Sequence, residues 1–405
     1  MAKLLFIHIR YPEFDRCSGD VRVTNMLRLL SQQHEVSLHV MHQRAEYMGA
    51  EANRHYAALL ADLGVRVESG SLVRHLRRQR YDAIVIEFWY VANPLIALIR
   101  TLQPQARVLV DTEHIYFYSD EVREAALGGG DAPELRAQRK STELAVYGTA
   151  DAIITTTDED RDVVLRERPS VRCRTIPNIH ALPDAPVGQL AGRVPRSVIF
   201  VGNFKGNPSN ADAMLWFCRE VMPALWRRVP EARLRIVGNM PPPEVQALAG
   251  AQVEVTGFVP ETSPWLDSSV VSVCPLRFGA GLKGKIGEAM MHGLPVVSTR
   301  VGTQGMSPVE GQEILVADEP EAFAAAIARL FDDAELWCAM SQAGRQFIER
   351  HFGMAAVQAR LDETFADLGW MPPPALGGLA RPLHAARLVA RDLLDEHVIW
   401  RLRRS

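Results

Sequence analysis

Short runs of β-branched and aliphatic residues alternate along this chain with longer segments of helical periodicity. Lys3 to Ile9, Glu35 to Met41, Asp82 to Glu87, Arg107 to Asp111 and Asp151 to Thr155 read as strands separated by helices. That alternation implies βαβ units and parallel sheets. After Asn178 the pattern lapses into a Pro- and Gly-containing stretch, from His180 to about Pro195, of the kind that joins domains. A second series follows, with strands expected at Ser197 to Val201, Arg233 to Val237, Val253 to Thr256, Val270 to Cys274 and Pro295 to Ser298. Two Rossmann-like halves are expected, spanning 1–180 and 197–352, with a linker at 181–196. No fixed-period repeat relates the halves, so the pattern is not that of a solenoid. Past Trp370, Met371-Pro-Pro-Pro ends the regular pattern before a final Arg-rich helix within 353–405.

The length, 405 residues, agrees with more than one domain. Net charge is −3, with 47% hydrophobic and 23% charged residues, so nothing in the bulk charge calls for a nucleic acid partner. The five cysteines are scattered and never form C-x-x-C, which fits a reducing compartment better than a disulfide framework or a zinc knuckle. The apolar run Leu4 to Ile7 is too short for a signal peptide, and no stretch reaches the ~18 apolar residues of a spanning helix. A cytoplasmic location is expected, with peripheral docking at the inner face of the membrane open as a further option.

In open parallel sheets ligands bind beyond the carboxyl ends of the strands. The loop after Val270 to Cys274 reads Pro275-Leu-Arg-Phe-Gly-Ala-Gly-Leu-Lys-Gly-Lys-Ile-Gly-Glu-Ala-Met. Its glycines let backbone amides approach an anion at a helix start, and Arg277, Lys283 and Lys285 add positive charge. Gly279 to Lys285 also satisfies G-x-x-x-x-G-K, but Ile286 stands where a P-loop needs a hydroxyl for magnesium. The loop after the first strand holds one glycine, Gly19, which argues against G-x-G-x-x-G nicotinamide binding.

At these residues the chain resembles retaining glycosyltransferase family 4. Gly279-Ala-Gly-Leu-Lys-Gly-Lys-Ile-Gly-Glu-Ala-Met-Met-His-Gly-Leu-Pro-Val-Val is similar to that family's E-A-M-A-x-G-x-P-V-V signature. Ile176-Pro-Asn-Ile resembles its I-P-N-G-V segment, while Val201-Gly-Asn-Phe and Ser18-Gly-Asp-Val-Arg resemble two further loops. The resemblance implies a GT-B fold, two Rossmann-like parallel-sheet domains facing a central cleft. The amino domain would take the acceptor and the carboxyl domain a nucleotide sugar, and the first helix after 353 would return toward the amino domain.

The resemblance also assigns roles. Glu288 falls on the glutamate that binds the ribose hydroxyls, a carboxylate well suited to a vicinal diol, although a Glu in the first turns of a helix also serves to solvate it. Arg277, Lys283 and Gly281 would hold the diphosphate, with Asn203 and Lys205 in a second loop. Gly19 would permit close backbone approach. His114 would contact sugar or acceptor, or Glu113 would if the D-x-H-N motif is matched without a shift. Two departures stand out: Ala280 replaces the family's sugar-contacting glutamate, and the second loop lacks the usual Arg. Neither a metal nor another cofactor is expected, since fixed cations and helix-end amides can stabilise the leaving diphosphate. The expected partners are a nucleotide sugar donor and a glycan, lipid-linked or small-molecule acceptor. A sugar-nucleotide epimerase and an inactive nucleotide-binding protein of the same fold are the alternatives. The tail after Ala380, with six arginines against three acids, is a candidate for peripheral membrane contact or for packing on the protein's own surface.

Overall fold

A computed structural model describes residues 1–15, 17–41, 49–68, 70–183 and 187–368. The Arg-rich tail and its expected membrane contact lie outside the described residues. Among those described, no helix is long and apolar enough to cross a membrane.

The amino half forms one sheet of seven parallel strands: β1 Lys3–His8, β2 Glu35–Val40, β3 Arg66–Glu68, β4 Ala83–Glu87, β5 Arg107–Asp111, β6 Ala152–Thr155 and β7 Cys173–Thr175. The spatial order is β3-β2-β1-β4-β5-β6-β7. The carboxyl half repeats the scheme with β8 Ser197–Val201, β9 Arg233–Val237, β10 Val253–Gly257, β11 Val271–Cys274, β12 Val296–Ser298 and β13 Leu315–Val316, ordered β10-β9-β8-β11-β12-β13. Both sheets are parallel throughout, and both reverse direction of growth at their first strand. A ligand crevice is therefore expected between β1 and β4 in one sheet, and between β8 and β11 in the other.

The central strands β1, β4 and β11 are buried on both faces, which explains why the sequence shows continuous aliphatic runs there instead of strict alternation. The edge strands β3, β7 and β13 escaped the sequence reading. Arg66-Val-Glu and Cys173-Arg-Thr are three residues long and half polar, and β13 has only two residues, too few to show a period. The stretch expected as a linker is in part anchored to the carboxyl domain. Arg193 is buried and donates to the carbonyls of Leu266 at 2.9 Å and Ser269 at 2.7 Å.

Six helices position the site: α1 Ser18–Ser31, α2 Trp89–Leu102, α3 Asp158–Glu167, α4 Pro208–Trp216, α5 Gly284–Met291 and α6 Met354–Leu368. Helix α1 packs Val23, Met26, Leu27 and Leu30 on one face of the amino sheet, against Leu4, Phe6 and Leu38. Helix α6 crosses back from the carboxyl domain and sets Val357 and Leu361 in that same core. The crossing is pinned where His180 N–H donates to Phe352 O at 2.9 Å and His180 pairs with Gly353.

Candidate active site at the interdomain cleft

In the carboxyl domain, β11 delivers the chain into the glycine loop and α5. Gly279 and Gly281 take φ of 133° and 72°, left-handed values that favour glycine. The loop folds its own lysine inward: Lys283 Nζ donates to Gly281 O at 2.6 Å, Ala280 O at 3.2 Å and Gly279 O at 3.3 Å. Burial lowers the Lys283 ammonium to about 8, and neighbouring Lys285 pushes in the same direction. Lys285 lies over the Phe200 ring at 4.4 Å and donates to Asn210 Oδ1 at 2.5 Å, so burial lowers its pKa too. Glu288 follows one turn later and accepts from the Thr262 hydroxyl; burial raises its carboxyl. Asn203 sits at the end of β8, its Oδ1 accepting from the Lys205 amide at 3.0 Å, while Lys205 is exposed.

In the amino domain the carboxyl ends of β1, β4 and β5 hold His8, Glu87 and Asp111, and α1 adds Asp20 and Arg22. Arg22 and Asp111 form a buried ion pair at 2.7 Å, and Arg22 Nε also donates to Ile176 O at 2.9 Å. Arg10 pairs with Asp20 at 2.6 Å. Burial raises Asp20 to about 6 despite that cation. Next to them Phe88, Tyr90, Trp89 and Tyr116 make an aromatic group, with Tyr116 stacked on His114 at 4.3 Å between centroids. Phe88 holds φ of 69°, a strained value for an aromatic residue.

The two halves meet through their helix starts. A Cβ on Gly284, the first residue of α5, would stand 2.8 Å from Ser18 Cβ, the first residue of α1. A Cβ on Gly281 would lie 3.6 Å from His114 Cβ. Three residues further into α5, a Cβ on Gly287 would meet the buried His180 Nε2 at 2.3 Å. Asp160 of α3, raised to about 6 by burial, acts on Lys283 across the same gap. Two helix N-termini therefore converge beside two lysines, an arrangement suited to a dianionic group.

The structure brings His114, Gly281, Lys283 and Gly19 to this junction and places Glu288 one turn along α5. Arg277 is turned toward α4, where its guanidinium grips Asp212 and is half exposed. Gly19 does approach a group closely, but that group is the Glu113 carboxylate, whose Oε1 would lie 2.0 Å from a Cβ at 19. The sequence reading passed over Asp160, Glu87 and the aromatic group. Glu87-Phe-Trp-Tyr directly after a strand was the available signal, since a carboxylate and three aromatics at a strand's carboxyl end are costly unless used. Among the described residues, no three His, Cys, Asp or Glu are placed to hold a metal ion.

A sucrose-phosphate synthase from Thermosynechococcus elongatus superposes with a TM-score of 0.67 at 17% identity, covering 91% of this chain and 99% of that one. HepE from Anabaena, in complex with UDP and glucose, superposes with a TM-score of 0.65 at 14% identity, covering 91% and 100%. The fold that these likenesses define is the GT-B fold. Within it, residues 195–333 match the family described as glycosyl transferases group 1. An uncharacterized 44.6 kDa protein in the cps region of Klebsiella pneumoniae is 29% identical over 137 residues. That match takes in 32% of this chain and 35% of its relative, about a third of each.

Proposed function

We propose that the protein transfers a sugar from a nucleoside diphosphate donor to an acceptor hydroxyl on a glycan or a lipid-linked carrier. The observation that carries this reading is the meeting of the α1 and α5 N-termini at Gly284 and Ser18, with Lys283 and Lys285 alongside. Leaving-group departure builds negative charge on the β-phosphate, and preorganised amides and ammonium groups lower that barrier. Glu288 accepts the ribose hydroxyls, and the wall of Tyr90, Trp89 and Tyr116 faces the acceptor. The resemblance to family 4 supports retention of configuration. HepE, solved with UDP and glucose, makes UDP-glucose the first donor to try.

Incubation with UDP-, GDP- and dTDP-sugars tests the proposal: free nucleoside diphosphate supports it, and binding without turnover overturns it. The carboxyl pair Glu87 and Glu113 favours one rival, a sugar-nucleotide epimerase, which would return an isomerised sugar. Glu288→Ala is expected to weaken nucleotide-sugar binding by about 1.5–3 kcal/mol, as for a hydrogen bond to a charged group. Calorimetry showing wild-type affinity in a folded variant would remove Glu288 from the site. Turnover is expected to survive EDTA, because Lys283, Lys285 and two helix ends supply the charge that a divalent ion would bring. Activity restored only by added Mg²⁺ or Mn²⁺ would contradict this.

A further inference from the structure

We propose that Glu113 is a catalytic residue whose carboxylate takes the proton of the acceptor hydroxyl during transfer, with Glu87 and His8 behind it as positioning residues. This rests on the transferase reading above.

Glu113 sits on a three-residue turn closed by His114 N–H donating to Thr112 O at 2.5 Å. Its φ of 52° makes this the positive-φ form of the turn, which is rare and strained outside glycine. Thr156 Oγ1 holds the turn by donating to Glu113 O at 2.8 Å. The turn sets the carboxylate against Gly19 in the first turn of α1, beside His114, which faces Gly281 across the cleft. Glycine at 19 is required by this placement, since any side chain there would displace the carboxylate.

The groups around Glu113 leave it without a cation of its own. From α1 come Asp20 and Arg22, from β5 Asp111, from β4 Glu87 and, just beyond it, Tyr90. Arg22 is committed to Asp111 at 2.7 Å, and Arg10 to Asp20 at 2.6 Å. Glu87 is 3% exposed, yet its Oε1 has no hydrogen-bond partner among the described residues; nor have Glu113 Oε1, Asp111 Oδ1, His8 Nε2 or Arg22 Nη2. A network built only for stability satisfies its buried polar atoms, so five open valences beside the cleft point to hydroxyl groups of a bound molecule.

Burial sets the proton inventory. His8 Nδ1 lies 2.7 Å from the Arg10 carbonyl and 3.2 Å from the Arg10 amide nitrogen, and Nε2 lies 3.1 Å from Glu87 Oε2. Burial lowers His8 to about 3 and raises Glu87 well above the carboxylate range, so the imidazole is neutral and the Glu87 carboxyl keeps its proton. Glu113, raised to about 7 by burial and then by Asp20, is the member whose charge changes near neutrality. In the transfer step the acceptor oxygen bonds to the anomeric carbon as its proton passes to Glu113. The bond from that carbon to the β-phosphate oxygen breaks, and its electron pair leaves with the nucleoside diphosphate. Glu113 then releases the proton to solvent. The hydroxyl hydrogen can point away from the anomeric carbon, so the role holds for attack from either face.

The test measures nucleoside diphosphate release by the full chain from pH 5 to 9, using whichever donor the screen above selects and water or p-nitrophenyl hexosides as acceptor. Wild-type kcat/KM is expected to rise with pH along a limb centred near 7. Glu113→Gln is expected to lose about 10²-fold or more in kcat and to lose that limb, with UDP affinity by calorimetry within twofold. Glu113→Asp should recover part of the rate and keep a limb, which also covers the case in which the glutamine variant fails to fold. Glu87→Ala, which removes a hydrogen-bond partner that lowers Glu113, should move the limb to higher pH, and Glu87→Gln, which keeps a donor, should bring it back toward the wild-type position. A Glu113→Gln variant with wild-type rate and limb overturns the inference alone. So does a parallel loss of UDP affinity and kcat, which would mark Glu113 as packing only. A wild-type protein that turns over no donor, or only isomerises it, overturns the transferase reading and this inference together.

Discussion

Lys283→Ala is expected to lower kcat by about 10²–10³-fold, the range for removing one preorganised group aimed at developing charge. The ligand-free loop already gathers the cation: three backbone carbonyls hold Nζ at the start of α5, and the side chain is 8% exposed. A diphosphate arriving at the junction of α1 and α5 offers a stronger acceptor than a neutral carbonyl, so the ammonium is expected to exchange partners on binding. Because burial has lowered Lys283 to about 8, kcat/KM is expected to fall as pH rises through that value and the charge is lost. Lys283→Arg should remove this alkaline limb, since guanidinium stays charged. Arg277→Ala should have a much smaller effect, because that guanidinium is already paired with Asp212 and is half exposed. If Lys283→Ala turned over at the wild-type rate while Arg277→Ala failed, the diphosphate would lie elsewhere. Steady-state kinetics with the selected donor decides between them.

The second large effect falls on stability. Arg22→Leu is expected to destabilise the protein by about 3–5 kcal/mol, because it strips a buried carboxylate of its partner. Asp111 is 1% exposed and Arg22 is 0% exposed, so water cannot compensate either group. The substitution also removes the donor to Ile176 O, where the chain leaves β7 for the carboxyl domain. In a thermal melt this corresponds to a drop of about 6–20 °C for a domain of this size. Replacing both partners, Arg22→Leu with Asp111→Leu, should recover part of the loss, since an apolar pair of similar volume leaves no orphaned charge. A single variant melting within a degree or two of wild type would show that the pair contributes little.

The long aliphatic strands were legible because burial on both faces leaves an unbroken run such as Ala83 to Ile86 between turn signals. The glycine loop was legible for a similar reason: positions such as Gly281 need a left-handed backbone, and only a few residue types supply it. For Arg277 the sequence shows a cation in the glycine loop but not the carboxylate that pairs with it. Asp212 stands 65 residues earlier, and nothing local links the two. Glu113 was weighed only as an alternative to His114 in a motif. Its meaning depends on Gly19, Glu87 and His8, three positions far apart in the chain that only the β1, β4, β5 order brings to one edge.

The return of α6 to the amino domain fixes how the cleft can work as a mechanism. The chain passes out of the amino domain after His180 and comes back at Gly353, and those two residues are bridged to each other. The carboxyl domain thus hangs on two strands that run side by side, like a door on a pair of adjacent pins. Val357 and Leu361 lock the second pin into the amino core. A swing about that line stretches neither strand. Groups beside the pivot, such as Gly287 against His180, would travel least, and those at the mouth of the cleft would travel most.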